Sequence, residues 1–262
     1  MPRRRRRALP PVEAAWDKMA EFVIEIAGVA AQVCSLFDST RDYCRAYLTD
    51  SVPELAITVS REELDREQEA LRREALEEGF RVRIFPDPFL DRAVVQRKLA
   101  QALLDRGILL VHGSALAVDG QGYLFTAKSV TGKSTHTRLW RQLLGQRAVM
   151  VNDDKPFVIV KGRECFLCGA PWSGKHGLDT NITVPLKAVC ILDRGTENRI
   201  VSISPEEALP VLLKQSAPPE DAAKLPRFQT LVAALAYSAR LWRLHCTKEQ
   251  EAAQVAFHAM SR

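Results

Sequence analysis

Long apolar runs are missing from this 262-residue chain. No stretch approaches the ~18 residues that a membrane-spanning helix needs, so a transmembrane protein is not expected. Nor is a secretory or twin-arginine leader: Pro10, Pro11, Glu13, Asp17 and Lys18 interrupt the apolar core that would have to follow Arg3 to Arg7. Excess charge is lacking too. The formal net charge is +5, and Arg3 to Arg7 alone match it, which leaves the remainder close to neutral. A basic stripe for nucleic acid is therefore not expected of the folded part. The Arg run reads as a disordered extension, with transient contact to nucleic acid or lipid headgroups as the alternative.

Paired cysteine motifs are also absent. Six cysteines are spread along the chain, and with no leader they point to a reducing cytoplasm and not to a disulfide framework. Cys165-Phe166-Leu167-Cys168 is a single CxxC without the second pair that a zinc site usually has. It sits in a strand-like segment, where residues three apart face opposite sides, so both thiols read as buried. What remains, 47% hydrophobic and 26% charged residues, is the composition of an ordinary globular protein.

Residues 21–37 and 55–59 read as short β runs. Ser60 opens a charged helix through a capping box with Glu63, and Gly79 closes it. A strand with a proline-marked turn is expected over 81–90, then a helix from Ala93 to Leu104. The first 95 residues thus divide into a basic tail (1–10) and a small α+β region (11–95), where no chemistry is legible. From 108 the pattern changes. An apolar strand is expected at 108–111, and strands at 115–118 and 123–125 flank the turn Asp119-Gly120-Gln121-Gly122. A helix is expected over Lys133 to Leu144, then strands at 148–151, 157–160, 164–167 and 188–192. Ser204-Pro205-Glu206-Glu207 is a second capping box. A late strand (241–244) and a last helix capped within Thr247 to Gln250 complete the pattern. Strands interleaved with helices predict an α/β fold, and the hairpin makes its sheet mixed.

The chemistry-bearing segment is 127–134, Ala-Lys-Ser-Val-Thr-Gly-Lys-Ser. It matches the phosphate-loop pattern G-x-x-x-x-G-K-[ST] except at the first glycine, with a strand before it and a helix after it. Backbone N–H groups over Ala127, Lys128, Ser129, Val130, Thr131, Gly132, Lys133, Ser134 and Thr135 would cradle the phosphates of a nucleotide. Lys133 would add a point charge and the Ser134 hydroxyl a Mg²⁺ ligand. The competing reading is an ordinary turn with Ser134 or Thr135 as helix N-cap. Two residues test it. Ala127 costs about 1 kcal/mol if its position needs φ > 0, and a β-branched Val130 at φ > 0 would be an outlier.

Asn152-Asp153-Asp154 ends a strand, where ligands gather in α/β folds. One aspartate would hold Mg²⁺ while the other orients or deprotonates an attacking hydroxyl; a plain loop pair is the alternative. His112-Gly113 follows another strand; a lone histidine is usually structural, and this one rises only through its context.

Together His112-Gly113, the hairpin, the AKSVTGKS loop and Val151-Asn152-Asp153-Asp154 resemble the C-terminal domain of HPr kinase/phosphorylase and the wider group with a phosphoenolpyruvate-carboxykinase type of nucleotide site. The resemblance covers 108–192, about a third of the chain, and the uncharacterised bacterial HPr-kinase-related proteins look most similar. It implies a mixed-sheet nucleotide-binding domain over 96–262, using ATP and Mg²⁺. It assigns the phosphate contact to Lys133, the metal to Ser134, the general base to Asp154 and an assisting role to His112. Asp153 becomes a metal-side or structural neighbour. The family's later loop, with a metal-binding acid and an arginine, has no clean counterpart; Gly169 to Gly177 falls in that region, and Lys175 would neutralise phosphate charge. The expected function is phosphoryl transfer from ATP to a hydroxyl on a small molecule, a peptide or a protein serine. A nucleotide sensor without transfer is the alternative. The expected partners are a nucleotide and an unknown acceptor, with no nucleic acid and no membrane; a homo-oligomer is left open.

Overall fold

The computed structural model describes residues 19–77 and 79–262; the expected tail at 1–10 lies outside them. β1 (Ala20–Ile26) and β2 (Val29–Ser35) form an antiparallel hairpin, α1 (Asp38–Tyr43) follows, and β3 (Leu55–Thr58) pairs parallel to β2. α2 (Arg61–Glu77) starts where expected with half of the capping box: the Glu63 carboxylate accepts from the Ser60 N–H at 2.9 Å, while the Glu63 N–H donates to Ser60 O. It stops at Gly79, whose φ of +75° lets the Phe80 N–H reach back to Ala75 O.

The strand expected over 81–90 does not form. The Gln68 side chain occupies that backbone, donating to Arg83 O at 2.9 Å and accepting from the Phe85 N–H at 2.7 Å. α3 (Asp87–Leu104) then begins well before Ala93, with Pro88 in its first turn, where a missing N–H costs nothing.

The remaining elements are β4 (Ile108–Leu110), β5 (Gly113–Val118), β6 (Gln121–Thr126), α4 (Lys133–Leu144), β7 (Ala148–Asn152), β8 (Phe157–Lys161), β9 (Glu164–Cys168), β10 (Thr183–Arg194), β11 (Arg199–Ser202), α5 (Pro205–Gln215), α6 (Leu225–Ser238), β12 (Arg240–Cys246) and α7 (Gln250–Met260). The hairpin turn is tighter than expected: Asp119 and Gly120 alone form it, both at positive φ, while Gln121 and Gly122 already belong to β6. Ser204 and Glu207 form the full reciprocal capping box of α5. The last helix is capped within the expected Thr247 to Gln250: Glu249 is its N-cap, and the Thr247 hydroxyl, two residues before, accepts from the Glu249 N–H.

Among the described residues, β4 to β12 build a mixed nine-stranded sheet beside the three-stranded one. β10 is its hub. Its first residues pair antiparallel with β9, and its later ones run parallel to both β6 and β12. Period-two alternation sends Ala115, Ala117, Leu124, Val189 and Ile191 to one face, under α5 and α6. Leu116, Val118, Tyr123, Phe125 and Cys190 go to the other, under α4 and α7. A third core joins the small sheet to α3 and β4, so α3 runs unbroken through residue 95 as a shared element. Cys165 and Cys168 are free, buried and in different cores, on opposite faces of β9.

Trp140 anchors α4. It is fully buried, with ring centroids 5.1 Å from Tyr123 and Phe125 and 5.4 Å from Phe257. Truncating such a residue costs about 3–5 kcal/mol, so the start of α4 is held firmly against β6. No described helix is long and apolar enough to cross a membrane.

Candidate functional site

The 127–134 segment links the end of β6 to α4, beside the C-terminal end of the parallel strand β10. Gly132, at φ 123°, is the N-cap of α4 and supplies no side chain to its orphan amides. No acidic residue stands in the first turn either. The contrast with the doubly capped α5 is chemical: the start of α4 presents backbone donors and the positive end of a dipole without an internal anion. Neither Ser134 nor Thr135 is the N-cap; both lie inside the helix.

The two doubtful loop positions divide. Ala127 is absent from the residues at positive φ and is buried at the strand end, so the missing glycine costs no strain there. Val130 does sit at φ +61°. A β-branched residue in that region stores about 1–3 kcal/mol. Arg194, the last residue of β10, donates to Val130 O and holds the apex.

A cleft of about 540 Å³ opens above the loop. Ser129, Val130, Gly132, Lys133, Ser134 and Thr135 line it from one side, and His112, Asp153 and Asp154 from the other. Sequence-distant candidates therefore meet. The exceptions are Ala127, which is buried beneath the loop, and Lys128 and Thr131, which line a second cavity on its outer side. The Lys133 side chain is buried, and its Nζ donates to Ala127 O at 3.2 Å.

The aspartates diverge, as neighbours at a strand end must. Asp153 is buried and accepts from the Ser114 hydroxyl at 2.6 Å, with Thr137 Oγ1 2.8 Å from Ser114 Oγ. Asp154 reaches further out, and its Oδ1 lies 3.5 Å from His112 Nε2. Burial, then Lys155 and Lys133, push the His112 pKa down to about 3, so its imidazole is neutral at ordinary pH. Burial raises the Asp154 carboxyl above its usual value; Lys155 and Lys133 oppose this, and Asp153 adds to it. The pair is a carboxyl beside a neutral imidazole, a combination suited to taking up a proton.

Asn152 organises this turn. Its Oδ1 accepts from the Asp154 N–H (2.8 Å) and the Lys155 N–H (2.6 Å), while its Nδ2 donates to Ala170 O (2.7 Å) and Trp172 O (3.3 Å). The 169–177 loop is thereby locked to the aspartates. Gly174 packs so closely that a Cβ would lie 3.1 Å from the Asp154 Cβ, and its φ of +70° favours glycine as well. Lys175 and His176 follow, exposed at the cleft. The N-terminal region, silent in the sequence, buttresses this loop: Tyr47 OH donates to Asp179 Oδ2 at 2.9 Å, and Trp172 Nε1 donates to Arg92 O at 2.9 Å.

Sequence reasoning missed Arg138 and Arg141, exposed residues of α4 that line the cleft. Their spacing from Ser134, four and seven residues on, is that of one helical face and would have revealed them. The donor set fits a hard cation. Ser134, Asp153 and Asp154 offer only oxygens, the ligand chemistry of Mg²⁺. No cluster of three or more His, Cys, Asp or Glu forms among the described residues, so phosphate oxygens would have to complete its shell.

Residues 93–229, more than half of the chain, match the family described as SynChlorMet cassette protein ScmC, and the chain belongs to that family. Among solved structures, that of the Hpr(Ser) kinase/phosphatase from Coxiella burnetii aligns at 13% identity with a TM-score of 0.28, over 47% of this chain and 93% of that one. No curated protein matches.

Proposed function

We propose that the protein is an ATP-dependent phosphotransferase that moves the γ-phosphoryl group to a hydroxyl of a small molecule, a peptide or a protein serine. The observation that carries the reading is the convergence of Lys133, Ser134, Asp153, Asp154 and His112 on one open cleft at an uncapped helix start. In this reading the amides of the 127–134 loop and Lys133 bind the phosphates. Asp154, its carboxylate oriented by neutral His112, takes the proton of the acceptor hydroxyl. The freed oxygen bonds to the γ-phosphorus as the bond to the bridging oxygen breaks, and ADP leaves. Ser134 and Asp153 would hold Mg²⁺, which when bound would supply charge neutralisation at the phosphates. Lys175, Arg138 and Arg141 line the same cleft and in this reading neutralise further phosphate charge. Positioning and electrostatics supply most of the acceleration in such transfers.

A nucleotide sensor without transfer is the second reading, favoured by the strained Val130 at the loop apex. Titration of ATP with Mg²⁺ into the parent, Lys133→Ala and Asp154→Asn proteins, followed by ADP release with candidate acceptors, tests both. The phosphotransferase reading expects Lys133→Ala to lose binding and Asp154→Asn to bind but not turn over. Normal ATP binding by Lys133→Ala removes the site assignment. Turnover that survives Asp154→Asn removes the base.

A further inference from the structure

We propose that the cavity on the outer side of the 127–134 loop is the subsite for the nucleobase, a flat purine ring that stacks on Phe80. The inference rests on the reading of the loop as a triphosphate cradle. The cavity, about 400 Å³, is lined by Phe80, Lys128, Ser129, Val130, Thr131 and Arg194. That volume falls within the ~300–1,000 Å³ of small-molecule sites. Ser129 and Val130 line the inner cleft as well, so the two spaces meet across the loop apex.

The lining has the chemistry for a flat, electron-rich ring. Phe80 is a large apolar residue left 44% exposed, and Val130 is 65% exposed. Exposed aromatic faces beside a cavity are stacking platforms, and bases of any sequence use them. The Phe80 backbone is held by the turn at the end of α2, where its N–H donates to Ala75 O at 2.7 Å. Across the cavity the Arg194 guanidinium is fixed by its bond to Val130 O, offering a planar cation to a ring or to purine acceptor atoms. Lys128 adds a second donor.

The acceptor does not fit here. Phe80, Lys128, Ser129, Val130, Thr131 and Arg194 include no carboxylate or imidazole, whereas Asp154 and His112 both face the inner cleft. A nucleotide with its γ-phosphate at Asp154 and its base beyond the loop would use both spaces and leave the acceptor side open. Phe80 stands between the helix-closing Gly79 and the segment 81–90 that the sequence marks as a strand, in neither expected element, which explains why the ring was not legible as part of a site.

The test compares ATP with inorganic tripolyphosphate, both with Mg²⁺, by calorimetric titration of the full chain. The parent protein is expected to bind ATP on the order of tenfold more tightly than tripolyphosphate, since base stacking is worth about that factor. Phe80→Ala should remove most of this preference and leave tripolyphosphate affinity unchanged, whereas Phe80→Trp should keep it. Phe80→Leu retains apolar volume without a π face and should behave like the alanine variant. An unchanged ATP preference in Phe80→Ala and Phe80→Leu overturns the base subsite while the phosphate cradle stands. An equal loss for both ligands also overturns it, because the ring then supports the loop. Failure of the parent to bind either ligand removes the cradle and the subsite with it.

Discussion

Asn152→Ala should loosen the geometry of the cleft without altering any of the groups proposed to react. Asn152 is fully buried and takes part in four hydrogen bonds, two to the N–H groups of the aspartate turn and two to carbonyls of the 169–177 loop. Each net bond is worth about 0.5–1.5 kcal/mol, and a buried group left unpaired costs about 1–3. Asp154 and Lys155 are half-buried, so water can reach part of what is lost there, while Ala170 and Trp172 are buried. The sum is on the order of 2–4 kcal/mol. Urea denaturation should show the midpoint fall with the slope unchanged. Asn152→Asp separates the two halves of the interaction. Its carboxylate still accepts from both N–H groups, so the aspartate turn survives, but it has no donor for the two carbonyls. A loss below about 1 kcal/mol in Asn152→Ala, with unaltered ATP binding, would refute the idea that this side chain builds the site.

Other consequences follow from the same geometry. Arg138→Ser with Arg141→Ser should weaken ATP binding about three- to tenfold at low salt and by less at high salt, with the melting temperature unchanged because both are exposed; affinity measured against ionic strength checks it. Catalysis should fall as pH drops through the raised pKa of Asp154, and Lys155→Met, by removing a charge that lowers that pKa, should move the acid limb of the rate profile upward. His136 is buried, and burial holds its pKa near 4. The unfolded chain binds the extra proton below its ordinary pKa of 6.5, so stability should be lost as pH falls from 6.5 towards 4, by on the order of 3 kcal/mol. His136→Gln should make that part of the curve of unfolding free energy against pH shallower, leaving the slope that His112, depressed to about 3, contributes there. Ser204→Ala removes one half of a complete capping box and should cost about 1 kcal/mol by thermal unfolding, without touching ATP binding.

Elements with local causes were legible in the residues. The Asp119-Gly120 turn, the Ser204 box, the bounds of α4 and the strands around them follow from short-range patterns that hold wherever the segment packs. The loop 127–134 belongs here too, because strand, glycine, lysine and hydroxyl stand together in sequence. The 81–90 segment went the other way. Its alternating Arg-Val-Arg-Ile satisfies a strand pattern, but Gln68 occupies the backbone that a neighbouring strand would need. Periodicity records what a segment can do, and only its neighbours settle whether it does so.

The meeting of the loop with His112 and the aspartates was decided by the sheet. β5, β6 and β7 are adjacent strands whose ends place His112, Ser129, Val130, Gly132 to Ser134, Asp153 and Asp154 around one space. The bridging role of Asn152 could not be read from the motif that contains it, nor any role from Tyr47, since Ala170 and Trp172 lie 18 and 20 residues from Asn152 and Asp179 lies 132 residues from Tyr47. The sequence carried the chemical types of the groups. Tertiary packing set their distances, the neutrality of His112 and the raised pKa of Asp154, because burial exists only once the chain has folded around them.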